Sequence, residues 1–519
     1  MLTGGNQLPS KVVTTFAADG LTWTDASLWQ QFNAAHEASP DALALVEADG
    51  RCWSRAELHL AATEIAQELQ RSGVRAHDRI MLEGTKTAPT IAAALAISCV
   101  GAVICPFTPD LGTAERQVLE ERLGHIALIS GSEAQAQPIP GVRDLRLSLR
   151  RQRELRPLDD ADTAAALIGF TSGTTGVPKG VMHSSAAMNY TVLACERIAS
   201  LEANDSIICV VPLGSAPGFT FTVHFSLALG HPLVIVDPWD ARRALQMMEQ
   251  YSCRWGICVP THLVAMVECA KTGHWTSRSP LRALAVGGSS MTAELIADAE
   301  HLLGIRALRM FGMSECMGHA STLPTDSLER RQRSDGTPFP GTRDEAFDPE
   351  LKMLARGARG QAGVKGPSLF LKYCEGLGGD EYRLTEDGYY LTGDEIICGA
   401  DNYLKVVGRL KDQIIRGGYN IDPAEVEAAL QRHPAIETAI VVAVPHARLG
   451  EQACAICRFR DGYQTMQLSD LTDHLAVIGL SKKKWPEHLV VVEEMIYTAT
   501  GKLNKKLMQK SAIASLGLG

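Results

Sequence analysis

The sequence has no hydrophobic run long enough to cross a membrane. The apolar stretch 91–107 is interrupted by Gly101 and Pro106 and is shorter than the roughly 20 residues that a membrane span needs. The N-terminus also lacks the basic and then apolar pattern of a secretory signal. We therefore predict that residues 91–107 form a buried helix passing into a strand, that the protein has no membrane span, and that it is cytoplasmic.

Positive charge is scarce as well. Lysine and arginine number 50 against 59 acidic residues, which gives a formal net charge of −9 and argues against nucleic acid as the main partner. An arginine-rich patch at residues 143–156 departs from this balance, and Asp159, Asp160 and Asp162 follow it. We interpret the patch as a solvated connector, and the alternative is a docking surface for an acidic partner.

The cysteines lack the spacing of a zinc site. The 13 cysteines are scattered, and most have apolar neighbours, as expected for reduced, buried thiols. Cys454 and Cys457 form a lone CxxC with no second pair. In an alternating strand their thiols face opposite sides of the sheet, so we predict no metal centre there. The chain also has no internal repeat and no long low-complexity tract.

The length and the apolar content favour at least two domains. A chain of 519 residues that is 45% hydrophobic exceeds what one core usually supports. Apolar and amphipathic runs alternate along residues 167–310, which predicts an α/β fold with parallel sheets covered by helices and with active loops at the carboxyl ends of the strands. The predicted strands are 206–211, 233–236, 255–259 and 281–286, and the predicted helices are 241–250 and 293–303.

The pattern changes after Arg409. Asp422 supplies an N-cap, Pro423 stands at the first helical position, and Glu425 completes a capping box, which predicts a helix that stops before Pro434. A helix near 471–477 and strands at 440–444, 453–458 and 489–492 complete a small α+β domain. We place the boundary at residues 410 and 411, so the predicted domains are 1–409 and 410–519.

The most informative stretch is residues 170–180, FTSGTTGVPKG, with three glycines, four hydroxyls and one lysine. Glycines let a loop bring backbone N–H groups to an anion, hydroxyls add donors, and lysine adds a mobile charge. The stretch therefore predicts a phosphate-binding loop. It is not a Walker-type P-loop, because Pro178 precedes Lys179 and Gly180 follows it. A flexible Gly/Thr surface loop has the same composition and is the alternative.

Four more short motifs follow in order toward the C-terminus. They are Phe311-Gly312-Met313-Ser314-Glu315, Tyr390-Leu391-Thr392-Gly393-Asp394, Gly408-Arg409-Leu410-Lys411-Asp412 and Thr500-Gly501-Lys502. With residues 170–180 they resemble the acyl-adenylate-forming superfamily of acyl-CoA synthetases, adenylation domains and luciferases, and most closely its short- and medium-chain acyl-CoA synthetases. The resemblance covers nearly the whole chain, and it implies a large N-terminal domain and a small mobile C-terminal one.

The resemblance implies an ATP site. Glu315 would bind Mg²⁺, which prefers a carboxylate oxygen together with substrate phosphates. Asp394 and Arg409 would hydrogen-bond the ribose, and Phe311 would stack on adenine where the family usually has tyrosine. The expected nucleotide-binding residues are Thr171, Ser172, Gly173, Thr174, Thr175, Gly176, Lys179, Gly288, Ser289, Ser290, Phe311, Gly312, Met313, Ser314, Asp394 and Arg409.

The resemblance also implies that Lys502, Glu315 and Lys179 are catalytic. In the family the equivalent of Lys502 reaches from the small domain and bridges the carboxylate and the α-phosphate, where it neutralises charge as attack proceeds. The small domain would rotate about Lys411, presenting first Lys502 for adenylation and then another loop for thioester formation. The residues of that second loop are Gly417, Gly418 and Tyr419.

The acyl pocket is expected at residues 212–221. This segment resembles the Pro-Leu-Gly-His-x-x-Gly of short- and medium-chain acyl-CoA synthetases, with Ser215 in place of the usual histidine or aromatic residue. The segment contains no Phe-Asp motif that would offer an acid for an α-amino group, so we expect an apolar acid that is aliphatic, branched or cyclic. The expected substrate-binding residues are Ser215, Gly218, Phe219, Phe221, Gly287 and Gly312.

The thiol acceptor is expected to come in trans, since no carrier-protein serine motif follows Lys502. We expect ATP, Mg²⁺ and coenzyme A as cofactors, and a small carboxylic acid as substrate. One alternative is a stand-alone adenylation enzyme that loads a separate acyl carrier protein, and another is a catalytically silent adenylate-binding protein. The sequence leaves the oligomeric state open, a homodimer included.

Overall fold

The structure is a computed structural model that describes residues 13–131, 137–139, 145–149, 158–171, 178–289, 291–377, 384–417, 419–463, 466–498 and 502–518.

The strands and helices follow one another along the whole chain. The strands are β1 (Thr15–Ala18), β2 (Leu21–Thr24), β3 (Leu43–Val46), β4 (Cys52–Ser54), β5 (Arg79–Glu83), β6 (Val103–Phe107), β7 (Ala127–Ser130), β8 (Gln137–Pro138), β9 (Arg146–Leu149), β10 (Ala165–Thr171), β11 (Lys179–Ser184), β12 (Ser206–Cys209), β13 (Leu233–Ile235), β14 (Cys253–Cys258), β15 (Ala283–Val286), β16 (Ala307–Met313), β17 (Cys316–Ser321), β18 (Thr337–Pro338), β19 (Arg343–Phe347), β20 (Arg359–Lys365), β21 (Lys372–Tyr373), β22 (Tyr390–Cys398), β23 (Leu404–Arg409), β24 (Ile414–Arg416), β25 (Tyr419–Ile421), β26 (Ile436–His446), β27 (Gly450–Phe459) and β28 (His488–Val491). The α-helices are α1 (Leu28–Ala38), α2 (Arg55–Arg71), α3 (Ala88–Cys99), α4 (Thr113–Arg122), α5 (Asp160–Ala164), α6 (Ser185–Ala199), α7 (Ala216–Gly218), α8 (Phe225–Leu229), α9 (Ala241–Gln250), α10 (Pro260–Lys271), α11 (Ala293–Asp298), α12 (Leu328–Arg333), α13 (Pro423–Leu430), α14 (Leu468–Val477) and α15 (Lys505–Ser515). Phe219–His224 and Ala299–Leu303 are π-helical, and Leu410–Asp412 and Lys482–Lys484 are 3₁₀ turns.

Two large sheets organise the first four hundred residues. In the described chain one sheet has the order β21-β11-β10-β6-β5-β7-β9-β8, and the other has the order β18-β17-β16-β15-β14-β12-β13-β3-β4. The strands at the centre of each sheet run parallel. Their carboxyl ends therefore meet at one edge of each sheet, where open α/β sheets place their ligand sites. The predicted α/β class is confirmed.

One hydrophobic cluster joins both large sheets. It contains Ile80 and Ile104 of the first sheet, Leu45 and Ile207 of the second, and the side chains of α3. Because α3 is apolar on nearly every side, most of it is buried, and each of its larger aliphatic side chains, such as Ile91 and Leu95, contributes roughly 1.5–3 kcal/mol. The prediction of a buried helix that passes into a strand over residues 91–107 is thus confirmed by α3 and β6.

A second, smaller sheet has its own core. The order of its strands is β25-β24-β27-β26, and β28 pairs with β27. The two faces of β26 and β27 bury separate clusters, with Cys457 in one and Cys454 in the other. The opposite facing of these thiols is therefore confirmed, and burial raises the pKa of each to about 12. A four-stranded sheet, β19-β20-β22-β23, ends at Arg409, immediately before the 3₁₀ turn at Leu410–Asp412, and β1 and β2 form a separate two-stranded sheet.

Most predicted elements appear with shifted ends. Helix α9 has the predicted bounds, and its N-cap Asp240 accepts a hydrogen bond from the Arg243 amide. The helix predicted at 293–303 is α-helical only to Asp298 and then continues as a π-helix. Apolar periodicity fixes which face of a helix is buried, but it does not distinguish hydrogen bonds to the fourth residue from hydrogen bonds to the fifth.

Two sequence interpretations need correction. The part of the arginine-rich patch that the structure describes, residues 145–149, contains β9, an antiparallel neighbour of β7, so it is not simply a connector. Glu425 does not complete a capping box. Asp422 caps α13 by accepting from the Ala424 amide, while the Glu425 carboxylate accepts two hydrogen bonds from Lys484. A lysine distant in the sequence but in the same small domain competes successfully for a carboxylate that sequence spacing assigns to the helix.

Two further predictions concern the cysteines and the absence of a membrane span. All 13 cysteines are described and free, and most of them are buried. None of the helices in the described ranges combines the length and the apolar character that crossing a membrane requires.

Candidate active site

The two ends of the phosphate-loop motif lie on paired antiparallel strands. Thr171 at the end of β10 pairs with Lys179 at the start of β11, so the two ends of the motif face each other across an antiparallel ladder. A β-carbon on Gly180 would lie 2.8 Å from the Cys374 β-carbon, and this close approach explains the glycine. The predicted residues Ser172, Gly173, Thr174, Thr175 and Gly176 lie outside the described residues.

The Glu315 carboxylate lies beside this pair of strands and is buried, with 5% of the residue exposed. The Tyr373 hydroxyl donates a 2.7 Å hydrogen bond to Glu315 Oε1, and the Tyr390 hydroxyl lies 3.2 Å from the Tyr373 hydroxyl. Burial and then the Glu315 charge raise the pKa of Tyr373 well above that of a free tyrosine, so its phenol stays a neutral donor. The ammonium of Lys179 lies 5.2 Å from the centroid of the same ring.

A buried histidine holds the turn that carries Glu315. His183 in β11 is fully buried, and its Nε2 lies 2.7 Å from the Ser314 carbonyl oxygen, so this nitrogen carries the proton. Burial lowers the pKa of His183 to about 4, although the bond to Ser314 opposes this change. The neutral imidazole therefore ties β11 to the Glu315 turn.

The Phe311 ring is half buried at the end of β16. Its centroid lies 4.4 Å from that of His319, which is completely buried. His319 Nδ1 lies 2.8 Å from the Asp344 Oδ1 atom, and this pair backs the phenylalanine from the protein side. The arrangement fixes the plane of an aromatic ring that retains an accessible part, as a platform for a flat base requires.

Lys502 reaches this site from the small domain. A β-carbon on Gly288 would lie 2.5 Å from Lys502 Cε and 3.2 Å from its Nζ, so the lysine chain lies directly over the Gly288 backbone. Lys502 keeps solvent access, yet burial by the surrounding protein and then the Arg409 charge lower its pKa. The Thr498 amide donates a 2.7 Å hydrogen bond to the Lys502 carbonyl oxygen. Thr500 and Gly501, like the predicted Ser290, lie outside the described residues.

Asp394 and Arg409 pair across two neighbouring strands. They are opposite residues in the β22 and β23 ladder, and Arg409 Nε donates to Asp394 Oδ1 at 3.0 Å. Asp394 is buried, whereas 64% of the Arg409 side chain is exposed. The carboxylate is therefore fixed in place, while most of the guanidinium surface stays open to a ligand.

The two phenylalanines of the predicted acyl segment lie in different surroundings. Phe221 lies with its ring tip 3.0 Å from the position of a β-carbon on Gly318, beside Phe339. Gly318 in turn packs against Gly312, since a β-carbon on Gly312 would lie 2.6 Å from the Gly318 amide nitrogen. Phe219 instead lines a small apolar void with Leu82, Gly84 and other residues. The structure thus brings Phe221, but not Phe219, to the Gly312 motif.

Ser215 and Gly218 shape the start of this segment. The Ser215 hydroxyl accepts a 3.1 Å hydrogen bond from the Gly218 amide and so caps α7. A β-carbon on Gly218 would lie 2.1 Å from the Pro212 carbonyl oxygen, which explains the glycine. Ser215 is half buried. Its small side chain both caps the backbone of the segment and leaves space that a larger residue would fill.

The residues predicted for the second half-reaction lie elsewhere. Lys411 is exposed in the 3₁₀ turn between β23 and β24. Gly417 has a φ of +57°, and Tyr419 begins β25 with its ring 5.7 Å from the Lys483 ammonium in the same small domain. Gly418 lies outside the described residues. Lys502, not Tyr419, is the small-domain residue that meets Gly288.

A metal ion fits this site only together with a ligand that brings its own oxygens. Within the ranges described, no three His, Cys, Asp or Glu side chains cluster as a complete metal cage. Glu315 offers one buried carboxylate, and Mg²⁺ is commonly held by one or two carboxylates plus substrate phosphates and water. The donor set therefore fits magnesium delivered with a triphosphate.

Another cleft, of about 740 Å³, lies away from these residues. Leu281 and Arg306, which line it, precede β15 and β16, so the cleft opens at the amino ends of the strands whose carboxyl ends carry Gly287 and Phe311. It contains none of the predicted site residues. The motifs, not the size of a cavity, locate the candidate site.

Tyr373 and His183 are the site residues that sequence reasoning missed. Tyr373 is 58 positions from Glu315 along the chain, and His183 is 131 positions from Ser314. The sequence around each one lacks a pattern that distinguishes it from an ordinary strand residue. The pairing of β21 with β11, together with the hydrogen bond from the Phe370 amide to the Glu315 carbonyl oxygen, brings Tyr373 to the site.

The sequence matches two family descriptions. "AMP-binding enzyme" matches residues 32–374, and "AMP-binding enzyme C-terminal domain" matches residues 425–502. The chain is 28% identical over 528 residues to the medium-chain fatty-acid–CoA ligase of Escherichia coli (strain K12), covering 95% of this chain and 92% of that protein. It is also 28% identical over 478 residues to a feruloyl-CoA synthase of an Amycolatopsis species, covering 90% of this chain and 95% of that protein.

Solved structures show the same fold. The crystal structure of ATP-bound MatB from Rhodopseudomonas palustris has a TM-score of 0.79 with 22% sequence identity, and the alignment covers 94% of this chain and 99% of that one. At this level of identity the likeness concerns the fold alone. The fold and the motif order thus agree with each other independently of the site geometry.

Proposed function

The chain belongs to the AMP-binding enzyme family, and from that premise we propose that it activates an apolar carboxylic acid with ATP and transfers the acyl group to coenzyme A. The protein is thus an acid–thiol ligase of the acyl-CoA synthetase type. The observation that carries the proposal is that Lys502 lies over Gly288 within electrostatic range of Arg409, which in turn interacts electrostatically with Glu315. The Arg409 charge contributes to the lowered pKa of Lys502, and a β-carbon on Gly288 would contact Lys502.

In the first half-reaction a carboxylate oxygen of the acid attacks the α-phosphorus of ATP. The bond from that phosphorus to the bridging oxygen breaks, and pyrophosphate leaves with the electron pair. Lys502 is the group that neutralises the charge developing between the two anions, since it is a mobile ammonium over the Gly288 backbone. Its lowered pKa reflects a partly desolvated charge, and such a charge interacts more strongly than one in water.

The nucleotide is held by groups from several strands. Asp394 accepts from the ribose hydroxyls and Arg409 donates to the same sugar, while Phe311 stacks on the base. Lys179 binds the triphosphate at the start of β11. Glu315 binds Mg²⁺, which when present neutralises phosphate charge and draws electron density from the reacting phosphorus.

In the second half-reaction the thiol sulfur attacks the acyl carbonyl carbon, the bond from that carbon to the phosphate oxygen breaks, and AMP leaves. The thiol proton goes to solvent. We propose that the small domain rotates about Lys411, so that Lys502 leaves the site and the loop from Gly417 to Tyr419 enters it. The exposed 3₁₀ turn between β23 and β24 supports Lys411 as the hinge, because it connects two sheets with separate cores.

The acid is apolar because the acyl segment carries no charge. Residues 212–221 contain no ionisable side chain. The Ser215 hydroxyl accepts a hydrogen bond from the Gly218 amide. The hydroxyl of Thr222, just beyond the segment, donates to the Gly218 carbonyl oxygen, so both hydroxyls bond to the backbone. Phe221 and Phe339 beside Gly318 supply apolar surface. An aliphatic, branched or cyclic acid matches this lining better than an amino acid does.

The test is pyrophosphate release with ATP, Mg²⁺ and a panel of acids of increasing length and branching. We expect release with at least one apolar acid, and AMP and thioester formation only when coenzyme A is added. The variant Lys502→Ala should slow release about 100-fold or more, while Lys510→Ala, which removes an exposed lysine of α15, is the matched control. Thioester formation on a phosphopantetheinylated carrier protein, but not on coenzyme A, would favour the carrier-loading alternative. Absence of release with every acid would favour a silent adenylate-binding protein.

A further inference from the structure

Tyr373 lies between the two charged groups that the proposed function assigns to ATP. It occupies β21, a two-residue edge strand that pairs with β11, and its neighbour across the ladder is Val181. Its hydroxyl contacts Glu315, and its ring faces the Lys179 ammonium. Edge-to-face contact with Phe370, at 4.8 Å between centroids, holds the ring from another side.

The donor and the acceptor of each hydrogen bond around Tyr373 can be assigned. An ionised carboxylate only accepts, so the Tyr373 hydroxyl must give its single proton to Glu315 Oε1. The Tyr390 hydroxyl, 3.2 Å away, must then donate to the Tyr373 oxygen. Tyr390 is itself buried, with 4% of the residue exposed, so this chain is anchored in the protein interior. The result is a chain of two hydrogen bonds, from Tyr390 to Tyr373 and from Tyr373 to Oε1 of Glu315.

We propose that Tyr373 is a positioning residue that orients the Glu315 carboxylate for Mg²⁺ and steadies Lys179 for the triphosphate. This inference rests on the proposed function, in which Glu315 binds the metal. The hydroxyl occupies Oε1 and leaves Oε2 to the cation, so the carboxylate is presented through one oxygen. The ring contacts the Lys179 ammonium by a cation–π interaction. A single side chain therefore positions both the Glu315 carboxylate and the Lys179 ammonium.

The test separates the hydroxyl from the ring. Tyr373→Phe keeps the ring and removes the donor, while Tyr373→Leu removes both. ATP binding is measured by calorimetry without acid, so that no turnover occurs, with and without Mg²⁺. For Tyr373→Phe we expect ATP affinity in Mg²⁺ to fall about tenfold, a typical effect of losing a partner of a metal ligand, with Mg²⁺-free affinity unchanged. For Tyr373→Leu we expect a further loss of about threefold that persists without Mg²⁺, because the ring under Lys179 is gone.

A double-mutant cycle shows whether the hydroxyl acts through the carboxylate. In a Glu315→Gln background, Tyr373→Phe should have no further effect on Mg²⁺-dependent binding. Tyr390→Phe should have a smaller effect than Tyr373→Phe in the same direction, because it removes only the donor to the Tyr373 oxygen. Tyr389→Phe is the matched control, since Tyr389 is equally buried but packs against Phe347, and it should bind ATP like the wild type.

The outcomes distinguish this proposal from the one on which it rests. If Glu315→Gln leaves the Mg²⁺ dependence unchanged, Glu315 is not the metal ligand and the proposed site fails. If Glu315→Gln weakens Mg²⁺-dependent binding but Tyr373→Phe does not, the positioning role is overturned while the metal site stands. Equal losses with and without Mg²⁺ in Tyr373→Phe also overturn it, because they indicate a general loss of structure. Thermal unfolding of each variant identifies that case.

Discussion

The side chain of Lys502 lies over the backbone of Gly288, with its Cε only 2.5 Å from the place where any other residue would carry a β-carbon. Gly288 has a φ of +89°, so the turn both adopts a backbone conformation that favours glycine and leaves room for the lysine. The two residues come from different domains. Their contact is the geometric link between the large domain and the proposed adenylation chemistry.

Gly288→Ala should therefore block adenylation. The added methyl group occupies the path of Lys502, and the left-handed backbone costs about 1 kcal/mol in addition. Gly357→Ala is the matched control, because Gly357 has a φ of +88° and a β-carbon there would meet nothing within 4 Å. Both variants should lose similar thermal stability, but only Gly288→Ala should lose pyrophosphate release. An equal loss of release in both would show that backbone strain, not the contact with Lys502, is responsible.

Lys502→Ala should separate the two half-reactions. We expect the adenylation rate to fall about 100-fold or more, comparable to the loss of one preorganised electrostatic contact. Thioester formation from supplied acyl-AMP should be nearly unchanged, because Lys502 has left the site in the proposed rotated state. Single-turnover measurements of each step check this. A parallel loss of both steps contradicts the proposed domain rotation.

The lowered pKa of Lys502 predicts a pH effect on adenylation. Burial and Arg409 disfavour the charged ammonium, so the charge is lost as pH rises through a value below the ordinary 10.5. The kcat/KM for pyrophosphate release, which reports the free enzyme, should therefore decline on the alkaline side below pH 10.5. In Lys502→Arg the guanidinium stays protonated, and the activity that remains should not show this decline. The same alkaline limb in both enzymes would assign it to another group.

Phe221→Leu should widen the range of acids. The smaller side chain opens space beside Gly318, and each additional methylene that is buried contributes about 0.8 kcal/mol, or roughly fourfold in kcat/KM. Longer or bulkier acids should gain relative to short ones. Phe219→Leu is the matched control, since Phe219 is equally buried but lines the void near Leu82 and Gly84. If Phe219→Leu changes the preference for chain length instead, the acyl group binds on the other side of the segment.

His183 predicts how stability depends on pH. Its pKa is about 4 in the folded protein against 6.5 unfolded, so the unfolded chain binds a proton first as pH falls. The contribution of His183 to the free energy of unfolding, about 3 kcal/mol, should therefore be lost between about pH 6.5 and pH 4. His183→Gln retains an N–H donor for Ser314 and should reduce the acid loss, as measured by urea unfolding at several pH values. His301→Gln, at an exposed position, should not change it.

Periodicity and punctuation in the sequence were enough to predict most elements. Alternating apolar and amphipathic runs predicted the parallel sheets, and Asp422 with Pro423 predicted the start of α13. The errors have a common cause. Glu425 pairs with Lys484 instead of the helix start, and residues 145–149 join a sheet edge, because partners distant in the chain offered better contacts than local ones.

The residues of the candidate site also divide into those that local sequence patterns identify and those that only tertiary contacts define. Glycine, hydroxyl and charge spacing identify Lys179, Glu315, Asp394, Arg409 and Lys502, because each motif is local and its chemistry depends on residue type. The roles of these residues remain predictions for the experiments above. No local pattern identifies Tyr373 or His183, since each is defined only by what it contacts, Glu315 in one case and the Ser314 carbonyl in the other.

By itself the sequence determined the fold class, the family and the chemical type of each motif, because these depend on residue identity at short spacing. Tertiary structure decided which motifs meet. Strand pairing brought Tyr373 beside Glu315 and Asp394 beside Arg409, and domain packing laid Lys502 on Gly288. It also separated Phe221 from Phe219, which are neighbours in the chain but belong to different surfaces. The physical reason is that burial and hydrogen bonding act between surfaces, and a surface exists only once the chain has folded.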